Sequence, residues 1–136
     1  MSNIVTGGDI TEIKCSNTTL GEIRMFPVAG EAGNYDTGGY RGADDGIVDG
    51  GGRLINALNR KPWYFDVPVV NDMVNTNEYE FMVAIAGSPD DTTWTFSNVN
   101  GAVYSGKGTI QGDLKLDGQK STFQLKVVGG GQLVKQ

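Results

Sequence analysis

The chain has 136 residues, a net charge of −5, no histidine and one cysteine, Cys15. That length suits one domain with a sizeable core, and a lone thiol allows no intrachain disulfide and fits a reducing compartment. Without histidine there is no Ser-His-Asp or Cys-His chemistry and no structural zinc site in a monomer, and eleven scattered Lys and Arg argue against tight nucleic-acid binding.

Residues 1–10 are polar and read as a flexible N-terminal arm. Met1 leads into SNIVTGGDI, which has neither a basic nor an apolar signal region, so no secretory signal is expected. No apolar run reaches the length of a membrane span, so no membrane insertion is expected. Ile10 to Lys14 alternates as a short strand. Leu20 to Val28 alternates better, and Pro27 should end that strand or place it at an edge.

Ala29 to Gly52 holds nine glycines and five carboxylates. It is too long for an ordinary connection and too poor in apolar residues for a core. Loops of this length are usually functional or disordered. We read 29–52 as a Gly/Asp-rich interaction loop, with Tyr35, Tyr40, Arg41 and Ile47 as its contact residues. Asp44, Asp45 and Asp49 match no calcium-loop spacing and read as solvated acids. Arg53 to Asn59 shows a helix-like pattern too short to use.

Lys61 to Val70 is aromatic and β-branched and reads as a strand, with Pro68 arguing against a central position. The spacing predicts a helix over 76–86. Asn75 and Glu78 form its capping box, Tyr79, Met82, Val83 and Ala86 its apolar face, and Gly87 a left-handed stop. Thr92 to Phe96 is a strand, and Asn100-Gly101 signals a type I′ hairpin. Thr109 to Leu116 reads as one strand with Gly112 at a bulge. Asp117-Gly118 turns into Ser121 to Val128, with Phe123, Leu125 and Val127 inward. Gly129 to Gly131 releases a short tail. Trp63, Tyr64 and Phe65 read as core or subunit burial rather than a sugar or base platform.

The run of features resembles a known family. MFPVAGEAGNYDTGGYRGADD, RLINALNRKPWYFDVPVV, AIAGSPDD, TWTFSNVNGAVYSGKGTIQGDLKLDGQ and FQLKVVGGGQL resemble the tail tube proteins of bacteriophages, over Gly21 to Leu133. NGAVYSGKG and the GGG-terminated last strand are the most specific parts. The resemblance implies a mainly β fold, an antiparallel β-sandwich or half-barrel with one flanking α-helix. It implies hexameric rings that stack into a tube for genome delivery. The size is similar to that in contractile-tailed phages, whose relatives include bacteriocin and type VI secretion tubes. The implied partners are further copies of the chain, tail sheath and baseplate proteins. The resemblance further implies that genomic DNA passes through without specific binding and that the location is the virion tail, assembled in the bacterial cytoplasm. No enzyme activity and no cofactor or metal are implied.

A conduit for DNA needs a wall that does not grip phosphate. Glu22, Asp66 and Asp113, on polar strand positions, are the lumen candidates. Two other readings remain open: a small β-sandwich carbohydrate-binding module using Trp63 or Trp94 as a platform, and an enzyme using carboxylates alone.

Overall fold

The computed structural model describes Ile4 and residues 9–29, 33–42, 46–55 and 57–136. Most of the expected N-terminal arm, and Asp44 and Asp45, lie outside the described residues. The fold is mainly β, with antiparallel sheets packed together and one short helix.

One sheet contains β1 (Ile10–Asn17), β2 (Gly21–Met25), β9 (Thr92–Asn98), β10 (Val103–Lys107) and β14 (Val134–Lys135), ordered β14-β10-β9-β1-β2. The second is ordered β11-β13-β8-β3, from β11 (Thr109–Ile110), β13 (Thr122–Gly129), β8 (Trp63–Val70) and β3 (Asn34–Asp36), with β12 (Leu116–Asp117) also on β13. The remaining strands are β4 (Gly39–Gly42), β5 (Ile47–Val48), β6 (Leu54–Ile55) and β7 (Leu58–Lys61). The helix α1 (Glu78–Ala86) carries the chain from β8 in one sheet to β9 in the other.

Strict alternation builds the core. Trp63, Phe65, Val67 and Val69 of β8 and Phe123, Leu125 and Val127 of β13 are all buried. They share one core cluster with Ile13 and Cys15 of β1, Met25 of β2 and Trp94 and Phe96 of β9. In β1 the register shifts between Ile10 and Glu12. That bulge lets Ile10 and Ile13, three apart, both be buried. Phe65 is the hub of the aromatic contacts. It stacks on Trp63 at 6.2 Å and meets Trp94 and Phe96 edge-on at 5.9 and 5.4 Å.

Three sequence expectations need correction. Asn75 does not cap α1. The N-cap position is Asn77, in the left-handed region at φ 47° and without a side-chain cap bond. Asn71, eight positions before Tyr79, caps it instead: its Oδ1 accepts the Tyr79 N–H at 3.0 Å. Glu78 folds back to accept the Asp72 N–H at 2.7 Å. Gly87 has φ −90°, so the stop is not left-handed. The buried face is Glu78, Met82 and Ile85, and Val83 is exposed. At the β9–β10 turn, Gly101 N–H donates to the Asn98 carbonyl and Gly101 alone has positive φ, at 89°. That is a type I turn followed by a glycine bulge, not a type I′ turn. Finally, Thr109 to Leu116 is not one strand. It breaks after Ile110, with Gly112 at φ 76°, and resumes at Leu116.

Pro68 sits on a strand that is paired on both sides, against expectation. Its carbonyl accepts the Val28 N–H at 3.0 Å. In an antiparallel strand a residue's N–H and C=O point the same way. The missing donor therefore faces Val28, where only an isolated bridge between Pro27 and Val69 forms. The ladder to β13 runs unbroken from Trp63 to Val70. The last glycines do not release a free tail. Leu133 is buried and β14 returns to β10.

The glycine-rich texture near the C-terminus has a steric cause. A Cβ on Gly106 would lie 2.9 Å from Trp63 Nε1, and one on Gly108 would lie 2.8 Å from Trp63 Cζ2. A Cβ on Gly129 would also collide with the indole. Three glycines thus form a slot for one tryptophan. Gly106→Ala is expected to cost about 1–3 kcal/mol through overpacking. Urea unfolding should show that loss, and it should shrink in a Trp63→Phe background. Equal losses in both backgrounds would contradict the slot.

Candidate interaction surface

The expected interaction loop is largely a β-ribbon. Asn34↔Asp66, Tyr35↔Phe65 and Asp36↔Tyr64 pair in the β3–β8 ladder, and Gly39↔Lys61 to Gly42↔Leu58 in β4–β7. The two residue numbers of every pair add to 100, so β4–β7 keeps the register of β3–β8. Beyond it, Ile47↔Ile55 and Val48↔Leu54 add to 102. Asp49 ties the tip. Its Oδ1 accepts the N–H groups of Gly51 and Arg53, and its Oδ2 meets Arg53 Nε at 3.2 Å. Gly52 takes φ 85° to close the turn.

The ribbon projects from the sandwich. From Tyr40 to Lys61 every described residue except Asp49 is exposed. Ile47, Val48, Leu54, Ile55 and Leu58 are 48–68% exposed. Single exposed aliphatic residues are ordinary on a protein surface, but a contiguous group points to an interaction site.

The four contact residues named from the sequence divide by position. Tyr35 is half-buried, with its ring edge-on to Phe96 at 5.4 Å and its hydroxyl accepting from Asn98 Nδ2 at 2.9 Å. It holds the ribbon's base to the core. Arg41 pairs with Asp36 at 2.8 Å. Tyr40 is exposed, with the Arg60 guanidinium 5.7 Å from its ring centre. Ile47 lies near the tip among the aliphatic residues. The sequence reading missed Val48, Leu54, Ile55 and Leu58. The signal was present: IVDGGGRLI is an apolar pair, a glycine turn and a second apolar pair.

The lumen candidates also separate. Glu22 is on edge strand β2 and pairs with Lys14 at 3.4 Å. Asp66 is on β8 in the other sheet, accepts from Gln124 Nε2 at 2.6 Å and stands opposite Lys126. Asp113 is exposed in the segment between β11 and β12, outside any strand. The platform for the carbohydrate reading is overturned: Trp63 and Trp94 are 1% and 0% exposed. Both rings are consumed by the core.

A groove of about 610 Å³ lies at the far end of β8 from the ribbon. Ile23, Phe26 and Val70 line it with apolar side chains, and Glu22 and Asp72 stand at its edge beside Arg24, with the buried Glu78 beneath. The Asn75 side-chain amide, and then the backbone N–H groups of Asn75 and Val74, hold the Asp72 carboxyl below its usual range. Among the described residues no three potential metal ligands converge, and no helix is long and apolar enough to cross a membrane.

No family model and no curated protein matches the chain. Among solved structures it is similar to a chain of the anti-feeding prophage (AFP) baseplate, determined by cryo-EM and 6-fold symmetrised. The match covers 100% of this chain and 97% of that one, at 9% identity and a TM-score of 0.39. A superposition that loose carries no argument about function.

Cys15 is fully buried, and burial pushes its thiol up from 9.0 to about 12. The thiolate is the reactive form, so this cysteine is inert at neutral pH. A raised folded-state value favours the protonated form. The stability it contributes is whole below pH 9 and is lost as pH rises toward 12. The unfolding free energy of the wild type should therefore fall relative to Cys15→Ala across that window. Denaturant titrations of both proteins measure this, and parallel curves would contradict it.

Proposed function

We propose that this chain is a structural subunit of a contractile phage-tail-like particle, and that it forms the tail tube. Six copies make a ring, and rings stack into the conduit for the genome. The observation that carries this reading is the projecting ribbon with its exposed aliphatic tip. Such a surface is costly to leave in water and becomes useful once another subunit covers it. The likeness of the sequence to tail tube proteins supports the same reading. The role is that of a non-enzymatic scaffold in the virion tail. Sheath and baseplate proteins are its expected neighbours, and DNA passes without specific binding.

The ribbon makes the inter-subunit contact, with Tyr40, Arg41 and Ile47 at the surface and Tyr35 as its anchor. Replacing Ile47, Val48, Leu54 and Ile55 together by Ser should abolish rings and tubes in negative-stain electron microscopy. Stability of the monomer should change little, because these side chains are exposed in it. Normal tubes from this variant would overturn the assignment.

The tube wall is proposed to be acidic or neutral, with Glu22, Asp66 and Asp113 as lumen candidates. Carboxylates at the wall repel the duplex over a Debye length of about 8 Å at physiological ionic strength. A cryo-EM structure of the assembled tube gives the pore-lining residues. More Lys and Arg than Asp and Glu among them would end the electrostatic argument.

A further inference from the structure

The proposal here rests on self-assembly and specifies its contact. The ribbon and the groove occupy opposite ends of one strand. The ribbon leaves the sandwich at Trp63, where β4–β7 takes over the register of β3–β8. The groove lies at Val70, the other end of β8. Eight residues of strand span roughly 25 Å, so the tip cannot fold back into its own groove.

A protrusion and a hollow at different places on one surface make a head-to-tail contact between copies. Repetition of such a contact closes into a ring or runs on as a filament. The chemistry of the two surfaces matches. Val48 and Leu54, paired across the tip, are aliphatic and exposed, and Phe26 and Val70 of the groove are exposed apolar residues as well. Next to Leu54 stands Arg53, highly exposed and bound to Asp49 through Nε. Its terminal nitrogens can reach a carboxylate rim. Two carboxylates stand at the groove's edge, Asp72 and Glu22, the second shared with Lys14 at 3.4 Å, while its one guanidinium, Arg24, is taken by Glu12 at 3.3 Å.

We propose that the tip of the ribbon of one copy docks in the Phe26–Val70 groove of the next, with Arg53 against its acidic rim. The contact has a direction, set by β8: each copy gives its ribbon at one end and receives one at the other.

Disulfide trapping tests this, and the buried Cys15 keeps the background low. Val48→Cys and Val70→Cys are made singly and together; both positions are exposed, so each variant should fold. Under mild oxidation, mixing the two single variants should give a dimer several-fold stronger than either variant gives alone. The double variant should give a ladder of multimers on a non-reducing gel, collapsed by reductant. A double variant that runs as a monomer overturns the proposal. If electron microscopy of that sample still shows rings or tubes, self-assembly stands and only the groove is wrong. If it shows neither, the reading of the chain as a tube subunit falls with it.

Discussion

The structure depends on one contact between its layers: the ring of Phe65 from one sheet set against Trp94 and Phe96 from the other. Neither sheet is stable alone, since each has one face that must leave water. Phe65 joins them with edge-on geometry that aromatic pairs favour. Around it the alternation of β8, β9 and β13 places every second side chain in the same layer. Trp63 stacks beside it, and Tyr35 reaches the cluster from β3 through Phe96. The ribbon's base, the glycine slot and the helix crossover are all positioned from this centre.

Much of the fold was legible because period-two alternation is a local signal. Phe123, Leu125 and Val127 were placed inward from sequence and are buried. Trp63 and Phe65 were read as buried rather than as a binding platform, and the helix lies within two residues of its expected start. What sequence missed depended on partners distant in the chain. The helix cap comes from Asn71, which is itself fixed by Ser121 across the sheet through two hydrogen bonds. No window around Asn75 contains that information. Pro68 was misjudged because its neighbour on one side, Val28, belongs to a segment forty residues earlier.

The candidate site was legible in place but not in form. Glycine content marked 29–52 as unusual, and an entropic cost of about 1–2 kcal/mol per ordered residue argued for a partner surface. The structure lowers that cost by pairing the segment with residues 54–66 in ladders. The apolar residues of the second strand, Leu54, Ile55 and Leu58, had been divided from the loop by a boundary at Gly52. A hairpin has to be read from both arms at once. Asp49 behaves in the same way: read from sequence as a solvated acid, it accepts hydrogen bonds that shape the turn.

The Trp63 slot has a mechanical consequence. Trp63 is the first residue of β8 after the ribbon, separated from it by Pro62. The first arm of the ribbon runs out of β3, so tension is shared between the arms, and the part carried by the second arm enters the sandwich at Trp63. That part is directed along β8, parallel to the ladder that β8 shares with β13 over eight paired residues. A pull in that direction loads the rungs of the ladder together, in shear, instead of opening them one after another. The indole held between three glycines acts as a barb against sliding. A fibre strung together through such ribbons would transmit force into its strongest ladder and spare the short, weakly paired strands at the sheet edges.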